Sequence, residues 1–253
     1  MIKFSFFIKK ILKIFNIKIS NYFFYEKVYR NNKYYLYLKI LKNFGIKKNF
    51  LKNLDSLEYA KSELGQDLLA LNYNNFKMNG YFIEIGAGDG KTFSNTYLLE
   101  KKFKWKGILV EPNISFQHLI KKNRKCIIEN KLLYHKPNIK INFHENLQTP
   151  TLSSIYAKNI FNKSYKVNTI TFDQLLKSNS SPRVVDYLSI DTEGNELKIL
   201  KSINFKKSKI KLISIEHNYQ YKKRKDIFIL MKKNGYTRKF KNFSHYDDFY
   251  FKK

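Results

Sequence analysis

The sequence predicts an α/β fold, in which a Rossmann-like parallel sheet carries helices on both faces and follows an α-helical N-terminal extension. Three observations lead to this prediction. From residue 81 onward, short segments rich in Ile, Leu and Val alternate with helical ones, which is typical of parallel sheets. The first of these segments runs into a glycine-rich turn, and acidic residues follow the ends of later ones. We divide the chain into an extension, residues 1–55, and a main domain, residues 56–253.

Residues 2–19 have the pattern of a basic amphipathic helix, with apolar side chains on one side and polar ones on the other. The apolar set is Phe4, Phe7, Ile8, Ile11, Phe15 and Ile19, and the polar set is Lys9, Lys10, Lys13 and Asn16. Two interpretations stay open: the helix lies on an anionic membrane surface, or it packs against the protein or a second subunit. Its apolar runs are far shorter than the roughly 18 residues of a membrane span, and its lysines interrupt a secretory signal.

Composition limits the partners that the chain is expected to bind and the disulfides and metal centres that it can form. Lys and Arg total 49 against 20 Asp and Glu, a net charge of +29, which invites a nucleic acid or a membrane. Only five of those cations are Arg, the preferred reader of bases and phosphates, and an A+T-rich coding bias also produces this composition. Nucleic acid is therefore not the expected partner. Cys126 is the only cysteine, so one chain forms no disulfide and no cysteine-based metal centre; a reducing cytoplasm is expected.

The main domain begins with a predicted helix and continues with five predicted strands. The helix covers residues 57–71, because apolar residues recur there at spacings of three and four. Its apolar positions are Leu57, Ala60, Leu64, Leu68 and Leu71. The strands are residues 81–85, 107–111, 125–128, 186–191 and 212–217. Ser94 is the predicted N-cap of the helix after the first strand.

The first strand ends in a turn that contains Gly86, Gly88 and Gly90. Glycines are needed where the chain turns sharply and where a ligand approaches the backbone. The turn departs from the dinucleotide fingerprint, because its third glycine comes one residue early, and from the phosphate-binding loop. Glu111 ends the second strand 21 residues after Gly90, where a carboxylate accepts hydrogen bonds from ribose hydroxyls. The combination predicts an adenosyl-binding half-sheet.

A second acidic stretch follows the fourth strand, with Asp191, Glu193 and Glu196 close together. Acids at the carboxyl edge of a parallel sheet point into the ligand crevice. Acids also stabilise the first turn of a helix, and we favour that role for Glu196.

Seven segments of the main domain keep a specific order along the chain. They are SELGQD at 62–67, GYFIEIGAGDG at 80–90, FSNTY at 93–97, WKGILVEP at 105–112, ITFD at 170–173, DYLSIDTEGNE at 186–196 and ISIEH at 213–217. In this order they resemble the FkbM family of S-adenosylmethionine-dependent methyltransferases, over about residues 60–240. The departures are small: Glu63 stands where the family often has Gln, and Gly88 where it often has Asn.

The resemblance implies a class I methyltransferase sheet, bound S-adenosylmethionine and O-methylation of a hydroxyl on a sugar, glycan or related metabolite. It implies that Gly86, Gly88 and Asp89 hold the methionine end of the cofactor and Glu111 the ribose, while the position of Asn130 suggests the adenine. The candidate cofactor-binding residues are Glu84, Gly86, Ala87, Gly88, Asp89, Gly90, Ser94, Asn95, Glu111, Asn130 and Asp191.

Methyl transfer to a hydroxyl requires alignment of the reacting atoms and removal of a proton. The candidate catalytic residues, which follow two neighbouring predicted strands, are Asp191, Glu193, Glu216 and His217. A second interpretation places Mg²⁺ there, with oxygen ligands from Asp191, Glu216 and Asn218, so that the ion lowers the pKa of the acceptor hydroxyl.

The expected function is therefore a cytoplasmic O-methyltransferase. If residues 2–19 lie on a membrane, the protein is peripheral to the inner membrane face. Its small-molecule or glycan acceptor is expected to contact the N-terminal extension and residues 136–167 and 220–225. Two alternatives stay open. An RNA ribose methyltransferase fits the net charge, and a catalytically inactive membrane- or partner-binding module fits the fold, although the intact glycine turn and acids argue against it.

Overall fold

The computed structural model describes residues 52–156, 162–241 and 246–253. The strands are β1 (Tyr81–Ile85), β2 (Lys106–Val110), β3 (Ile127–Glu129), β4 (Leu132–Leu133), β5 (Lys140–Asn146), β6 (Asn162–Ile170), β7 (Val184–Ile190), β8 (Lys209–Glu216), β9 (Tyr236–Lys239) and β10 (Asp247–Lys252). The α-helices are α1 (Gln66–Tyr73), α2 (Tyr97–Phe103), α3 (Gln117–Asn123), α4 (Phe172–Ser178), α5 (Glu196–Lys201) and α6 (Tyr221–Lys233). Short 3-10 helices cover Leu54–Tyr59, Ile114–Phe116 and Pro150–Leu152.

Seven strands form the main sheet in the order β3-β2-β1-β7-β8-β10-β9. The first five run parallel, and β10 runs antiparallel to both β8 and β9. The chain moves outward from β1 to β3 on one side and from β7 to β8 on the other, so the strand order reverses between β1 and β7. Ligands of open α/β sheets bind beyond the carboxyl ends of the strands at such a reversal. The predicted Rossmann-like, mostly parallel sheet is confirmed.

Both faces of the sheet are buried, which is why the parallel strands are mainly apolar. Along β1, Phe82 contacts the cluster that includes α1, α2 and α3, whereas Ile83 contacts the cluster that includes α4, α5 and α6. This alternation follows from the two-residue period of a strand. The helices therefore clamp the sheet from two sides and hold the ends of β1, β2, β7 and β8 in a fixed arrangement.

A second, three-stranded sheet has the order β4-β6-β5 and was not predicted from the sequence. Strands β5 and β6 form a long antiparallel pair, in which Lys140 lies opposite Asn168 and Asn146 opposite Asn162. A small apolar cluster of Leu132, Phe143 and Val167 holds the sheet together. Its position matters because Leu132 and Phe143 also line the cavity described below.

The predicted continuous helix over residues 57–71 is wrong. A 3-10 helix ends at Tyr59, and α1 begins only at Gln66. Gly65 has a φ of 79°, which interrupts a right-handed helix. The buried carboxylate of Asp67 then accepts hydrogen bonds from the backbone N–H groups of Lys61 and Ser62, so the intervening chain is held as a turn.

Other predictions differ in detail or lie outside the described residues. The third strand is Ile127–Glu129 instead of residues 125–128, and helix α2 has Thr96, not Ser94, as its N-cap residue. The Thr96 hydroxyl bonds to Glu84, while the Ser94 hydroxyl accepts the N–H of Tyr97. The amphipathic segment 2–19 and most of the predicted extension fall outside the described part. Among the described helices, none is long and apolar enough to cross a membrane.

Candidate functional site

A cavity of about 280 Å³ lies at the carboxyl ends of the parallel strands. The glycine turn after β1, the acid after β2 and the acidic stretches after β7 and β8 all contribute to it, as the strand reversal predicts. The sequence-predicted residues among its lining are Glu84, Gly86, Ala87, Gly88, Ser94, Asn95, Glu111, Asp191, Glu193, Glu216 and Asn218. Residues as far apart in sequence as Glu84 and Asn218, 134 positions, thus meet at one edge of the sheet.

Glycine is needed at two positions of the turn, 86 and 88, for different structural reasons. Gly86 has a φ of +83°, and a Cβ there would lie 1.6 Å from the carbonyl oxygen of Asp191. The end of β1 therefore passes the end of β7 at a distance that no side chain permits. Gly88 has a φ of +53°, but a Cβ there would meet no atom within 4 Å. The space beside Gly88 belongs to the cavity, so this glycine leaves room for a ligand against the backbone.

Glu111 joins the glycine turn to the second strand. Its Oε2 accepts the N–H of Gly88 at 2.8 Å, and its Oε1 accepts the N–H of Asn113 at 2.8 Å. Burial raises the pKa of its carboxyl to about 7, although both hydrogen bonds favour the charged form. The carboxylate thus lies against the turn and faces the cavity.

Glu84 stabilises the loop that follows the glycine turn and precedes α2. Its carboxylate accepts hydrogen bonds from the Ser94 hydroxyl at 2.9 Å and the Asn95 N–H at 2.6 Å, and also bonds to the Thr96 hydroxyl. Burial raises its pKa, and the nearby guanidinium of Arg124 opposes that shift. Because these bonds satisfy both carboxylate oxygens, Glu84 holds the loop before α2 in place.

Arg124 was missed by the sequence analysis. Its side chain is completely buried, and it donates to Glu100 at 2.6 Å, to the Gly90 carbonyl at 2.9 Å and to the Ser94 hydroxyl at 3.1 Å. Its Nη1 also lies 3.6 Å from Glu84. A buried charge is stable only when it is paired and hydrogen-bonded in this way, so Arg124 positions the whole glycine turn.

Three carboxylates converge after β7 and β8. One oxygen each from Asp191, Glu193 and Glu216 lies within 4.8 Å of the others. Asp191 and Glu216 come directly after paired residues of the two strands, since Ile190 lies opposite Ile215. Burial, followed by repulsion from Asp191, raises the pKa of Glu216, and burial likewise raises the pKa of Asp191 well above its usual range.

Glu196 stands behind this cluster, in the first turn of α5 as the sequence predicts, but its side chain bonds to the preceding turn and does not cap the helix. It is the first residue of α5, and its Oε1 accepts the N–H groups of Thr192 and Gly194. Its Oε2 pairs with Lys223 at 3.0 Å. With these partners Glu196 shapes the turn on which Glu193 sits.

Four sequence-predicted residues do not line the cavity: Asp89, Gly90, Asn130 and His217. Asp89 accepts the N–H groups of Lys91 and Thr92 and so closes the turn on itself. A Cβ at Gly90 would meet the Arg124 side chain at 2.9 Å. The His217 ring accepts the N–H of Tyr219 through Nδ1, and burial lowers its pKa. The roles predicted for these four residues stay predictions.

Other lining residues were not among the predicted site residues, although Phe93 and Asn195 lie in family-like segments and residues 150–155 lie in a segment expected to contact the acceptor. Phe93 is 57% exposed although it lines the cavity. Asn195 is buried, donates to the Leu133 carbonyl, and keeps an unpaired side-chain oxygen. The segment 150–155 and Tyr246 complete the wall. These residues come from loops, and their positions depend on packing between distant parts of the chain.

Comparison with known families identifies the following match. The family model described as the methyltransferase FkbM domain matches residues 84–238, which include the glycine turn, Glu111 and the three converging carboxylates. A search of curated proteins found no match.

Comparison with solved structures gives weak overall superpositions. The precorrin-6y C5,15-methyltransferase of Geobacter metallireducens is 9% identical, with 74% of this chain and 87% of that chain covered and a TM-score of 0.41. The human methyltransferase 10 domain containing protein is 13% identical, with coverages of 92% and 99% and a TM-score of 0.41. A methyltransferase from Pyrococcus furiosus is 16% identical, with coverages of 88% and 98% and a TM-score of 0.37. The family match is the stronger finding.

Proposed function

The chain belongs to the FkbM methyltransferase domain family, and from that premise we propose that it is an S-adenosylmethionine-dependent O-methyltransferase that acts on a hydroxyl of a sugar, glycan or related metabolite. One observation carries the proposal: the Gly88 N–H and the Glu111 carboxylate meet at 2.8 Å on the wall of the cavity. A glycine turn and an acid in this relation are typical of nucleoside binding at the edge of a parallel sheet.

The chain's own residues fit the cofactor in two respects. The open space beside Gly88 admits a ligand against the backbone of the turn. The carboxylate of Glu111 has further acceptor sites, because each oxygen receives a single backbone hydrogen bond and a carboxylate offers about four lone-pair sites in total. Glu111 would hold the ribose hydroxyls, and Gly86 and Gly88 would border the methionine end.

S-adenosylmethionine, when bound, supplies a methyl group on a sulfonium, which leaves as a neutral thioether. The protein must then align the acceptor oxygen with that methyl group and take the hydroxyl proton. Asp191, Glu193 and Glu216 line the same cavity as the glycine turn. In the proposal, one of these carboxylates receives the proton, or Mg²⁺ held by them lowers the pKa of the hydroxyl.

The acceptor is proposed to enter beside the three-stranded sheet. Phe93 and Leu152 line the cavity and are 57% and 48% exposed. Exposed apolar side chains around a polar cavity mark a binding surface, and this mixture suits the alternating apolar and hydroxyl faces of a sugar. The charge of the chain, +29, favours RNA ribose methylation as the second candidate.

Membrane contact through residues 2–19 and a cytoplasmic location are part of the proposal. Deletion of residues 1–19 is expected to abolish co-sedimentation with vesicles that contain phosphatidylserine, because both the lysines and the apolar face are removed. Undiminished co-sedimentation would discard the anchor.

The experiment that tests the function is calorimetric titration of the full chain with S-adenosylmethionine and S-adenosylhomocysteine. Binding of either supports the enzyme. A folded sample that binds neither would favour an inactive module on the same fold. Methyl transfer from labelled cofactor to polysaccharide or to RNA oligonucleotides then separates the two acceptor classes, and the RNA reaction is expected to weaken steeply with salt.

A further inference from the structure

We propose that Asp191, Glu193 and Glu216 form a binding site for one divalent cation of the Mg²⁺ or Mn²⁺ type. The inference rests on the proposed function only for what the cation does there. Its first support is geometric. One oxygen from each of the three side chains lies within 4.8 Å of the other two, a spacing at which a single ion with oxygen ligands can contact all three.

The backbone sets this convergence. Ile190 and Ile215 are paired residues of the parallel strands β7 and β8, so Asp191 and Glu216, which follow them, lie side by side at the end of this strand pair. Glu193 has a φ of 54°, in the left-handed region that a bulky residue avoids. Strain of this kind clusters at ligand sites, and here it brings Glu193 back towards the other two carboxylates.

An unpaired buried oxygen points to a missing partner. Oε2 of Glu216 has no hydrogen-bond donor among the described residues, and the side chain is only 7% exposed. Oδ1 of Asn195, on the same turn as Glu193, is also buried without a partner. Buried polar atoms almost always have one, and both residues line the cavity. A cation held by the three carboxylates supplies what the Glu216 oxygen lacks.

The negative charge of the three carboxylates also lacks a close positive partner among the described residues. Lys223 lies 3.0 Å from Glu196 but 4.0 Å from Glu216, so it pairs more closely with the residue behind the cluster. A chain with 49 Lys and Arg has many cations to place beside three carboxylates. In the described residues they form no close ion pair with Asp191 or Glu193. The negative charge is therefore kept for a ligand.

All of the candidate ligands are oxygen atoms, and this favours some ions over others. Carboxylates and amide oxygens suit Mg²⁺, Mn²⁺ and Ca²⁺, whereas zinc sites prefer nitrogen and sulfur ligands. Asn218, two residues after Glu216, also lines the cavity and offers another oxygen. Because the glycine turn shares this cavity, a cation here is placed to bind an acceptor hydroxyl and lower its pKa.

The test uses the full chain and MnCl₂ as the probe, with electron paramagnetic resonance to count free Mn²⁺. We expect one Mn²⁺ per chain, competition by MgCl₂, and an affinity at least about tenfold lower in Glu216→Gln and in Glu193→Gln. Glu58→Gln removes an exposed acid on a 3-10 helix and is expected to bind Mn²⁺ as the natural protein does. Glu193→Gln keeps the test valid if the buried variant fails to fold.

Free Mn²⁺ throughout a millimolar titration would overturn the site, and so would an equal loss of affinity in Glu58→Gln and Glu216→Gln. A parallel titration with S-adenosylhomocysteine in metal-free buffer separates the two proposals. If the nucleoside binds and Mn²⁺ does not, the cation site is wrong and the methyltransferase proposal stands. If Mn²⁺ binds and the nucleoside does not, the site stands and the proposed function falls.

Discussion

The amide nitrogen of Gly88 lies 2.8 Å from Oε2 of Glu111. This hydrogen bond ties the turn after β1 to the end of β2, so two sequence features become one wall of the cavity. It also orients the carboxylate, because a second backbone N–H holds the other oxygen. A ligand that enters the cavity meets a glycine without a side chain and an acid that cannot turn away. Four of the five predictions below concern this wall and the turn behind it.

Glu111→Ala is expected to weaken binding of S-adenosylhomocysteine by about tenfold or more, since each hydrogen bond to a charged group contributes about 1.5–3 kcal/mol. Glu111→Gln should lie between the natural protein and Glu111→Ala, because it keeps one acceptor oxygen. Calorimetric titration measures all three. Unchanged affinity in Glu111→Ala would remove this residue from the cofactor site.

Gly88→Ala is expected to lose cofactor affinity, with a loss of stability limited to the cost of its positive φ. The added methyl group enters open cavity space, and the positive φ costs about 1–2 kcal/mol. Gly235→Ala is the matched control. Gly235 also has a positive φ, of +77°, but its added methyl group would face only the end of the Lys252 side chain. Both variants should unfold at similar urea concentrations, and only Gly88→Ala should bind the nucleoside poorly. Equal nucleoside binding in the two variants contradicts a ligand beside Gly88.

The sequence predicted a ligand-binding role for the glycine turn but not the structural reason for Gly86. The pattern of glycines after a strand predicted a ligand cradle, and the structure places the turn on the cavity wall. The contact between Gly86 and the Asp191 carbonyl joins segments about a hundred residues apart, and no local pattern encodes it. The parallel order of β1, β2, β7 and β8 was predictable because buried strands are apolar and alternate with helices.

Strands β5 and β6 show the opposite case. Residues 140–146 read KINFHEN, and their mixture of charged, polar and apolar residues gives no clear period. Their pairing with residues 162–170 is set by the small apolar cluster beneath them, which forms only in the folded chain. The cavity wall they support was therefore beyond prediction.

The scarcity of Arg in this chain is the sequence signal that could have identified Arg124. In a chain with so few Arg residues, Arg124 pairs with the partly buried carboxylate of Glu100, and Arg224 and Arg238 pair with the buried carboxylate of Asp248. Guanidinium groups suit such sites because several fixed N–H donors share one plane. A rare Arg in a lysine-rich chain is thus a useful pointer to a buried ion pair.

Arg124→Met is expected to lower the free energy of unfolding by about 3–5 kcal/mol, because Glu84 and Glu100 lose their buried partner. Arg183→Met, at an exposed position, should change it by less than about 0.5 kcal/mol. Urea denaturation followed by circular dichroism measures both. A loss below 1 kcal/mol in Arg124→Met would show that the turn does not depend on this residue.

Asp191→Asn is expected to reduce turnover at least about a hundredfold, the usual contribution of a proton acceptor, while the fold and nucleoside binding remain. The amide neither accepts the proton nor binds a cation as a carboxylate does. The initial rate with a methyl-accepting substrate, measured beside the thermal midpoint, separates chemistry from stability. Retained turnover would exclude both the base and the cation roles of Asp191.

The pKa of Glu111 predicts how stability depends on pH. The folded value is about 7 and the ordinary value 4.5, so between these pH values the folded protein keeps a proton that the unfolded chain has lost. The stabilisation is therefore complete below pH 4.5 and disappears as pH rises through 7, by about 3 kcal/mol in all. Buried Asp67 and Asp247 act in the same direction, with pKa values near 6 and 7, so only a difference between variants isolates Glu111. Urea unfolding at pH 5 and pH 8 should show a smaller decrease in Glu111→Gln than in the natural protein, whereas Glu58→Gln should match it. Equal decreases in all three proteins would mean that Glu111 is ionised in the folded state throughout this range, held so by the N–H groups of Gly88 and Asn113.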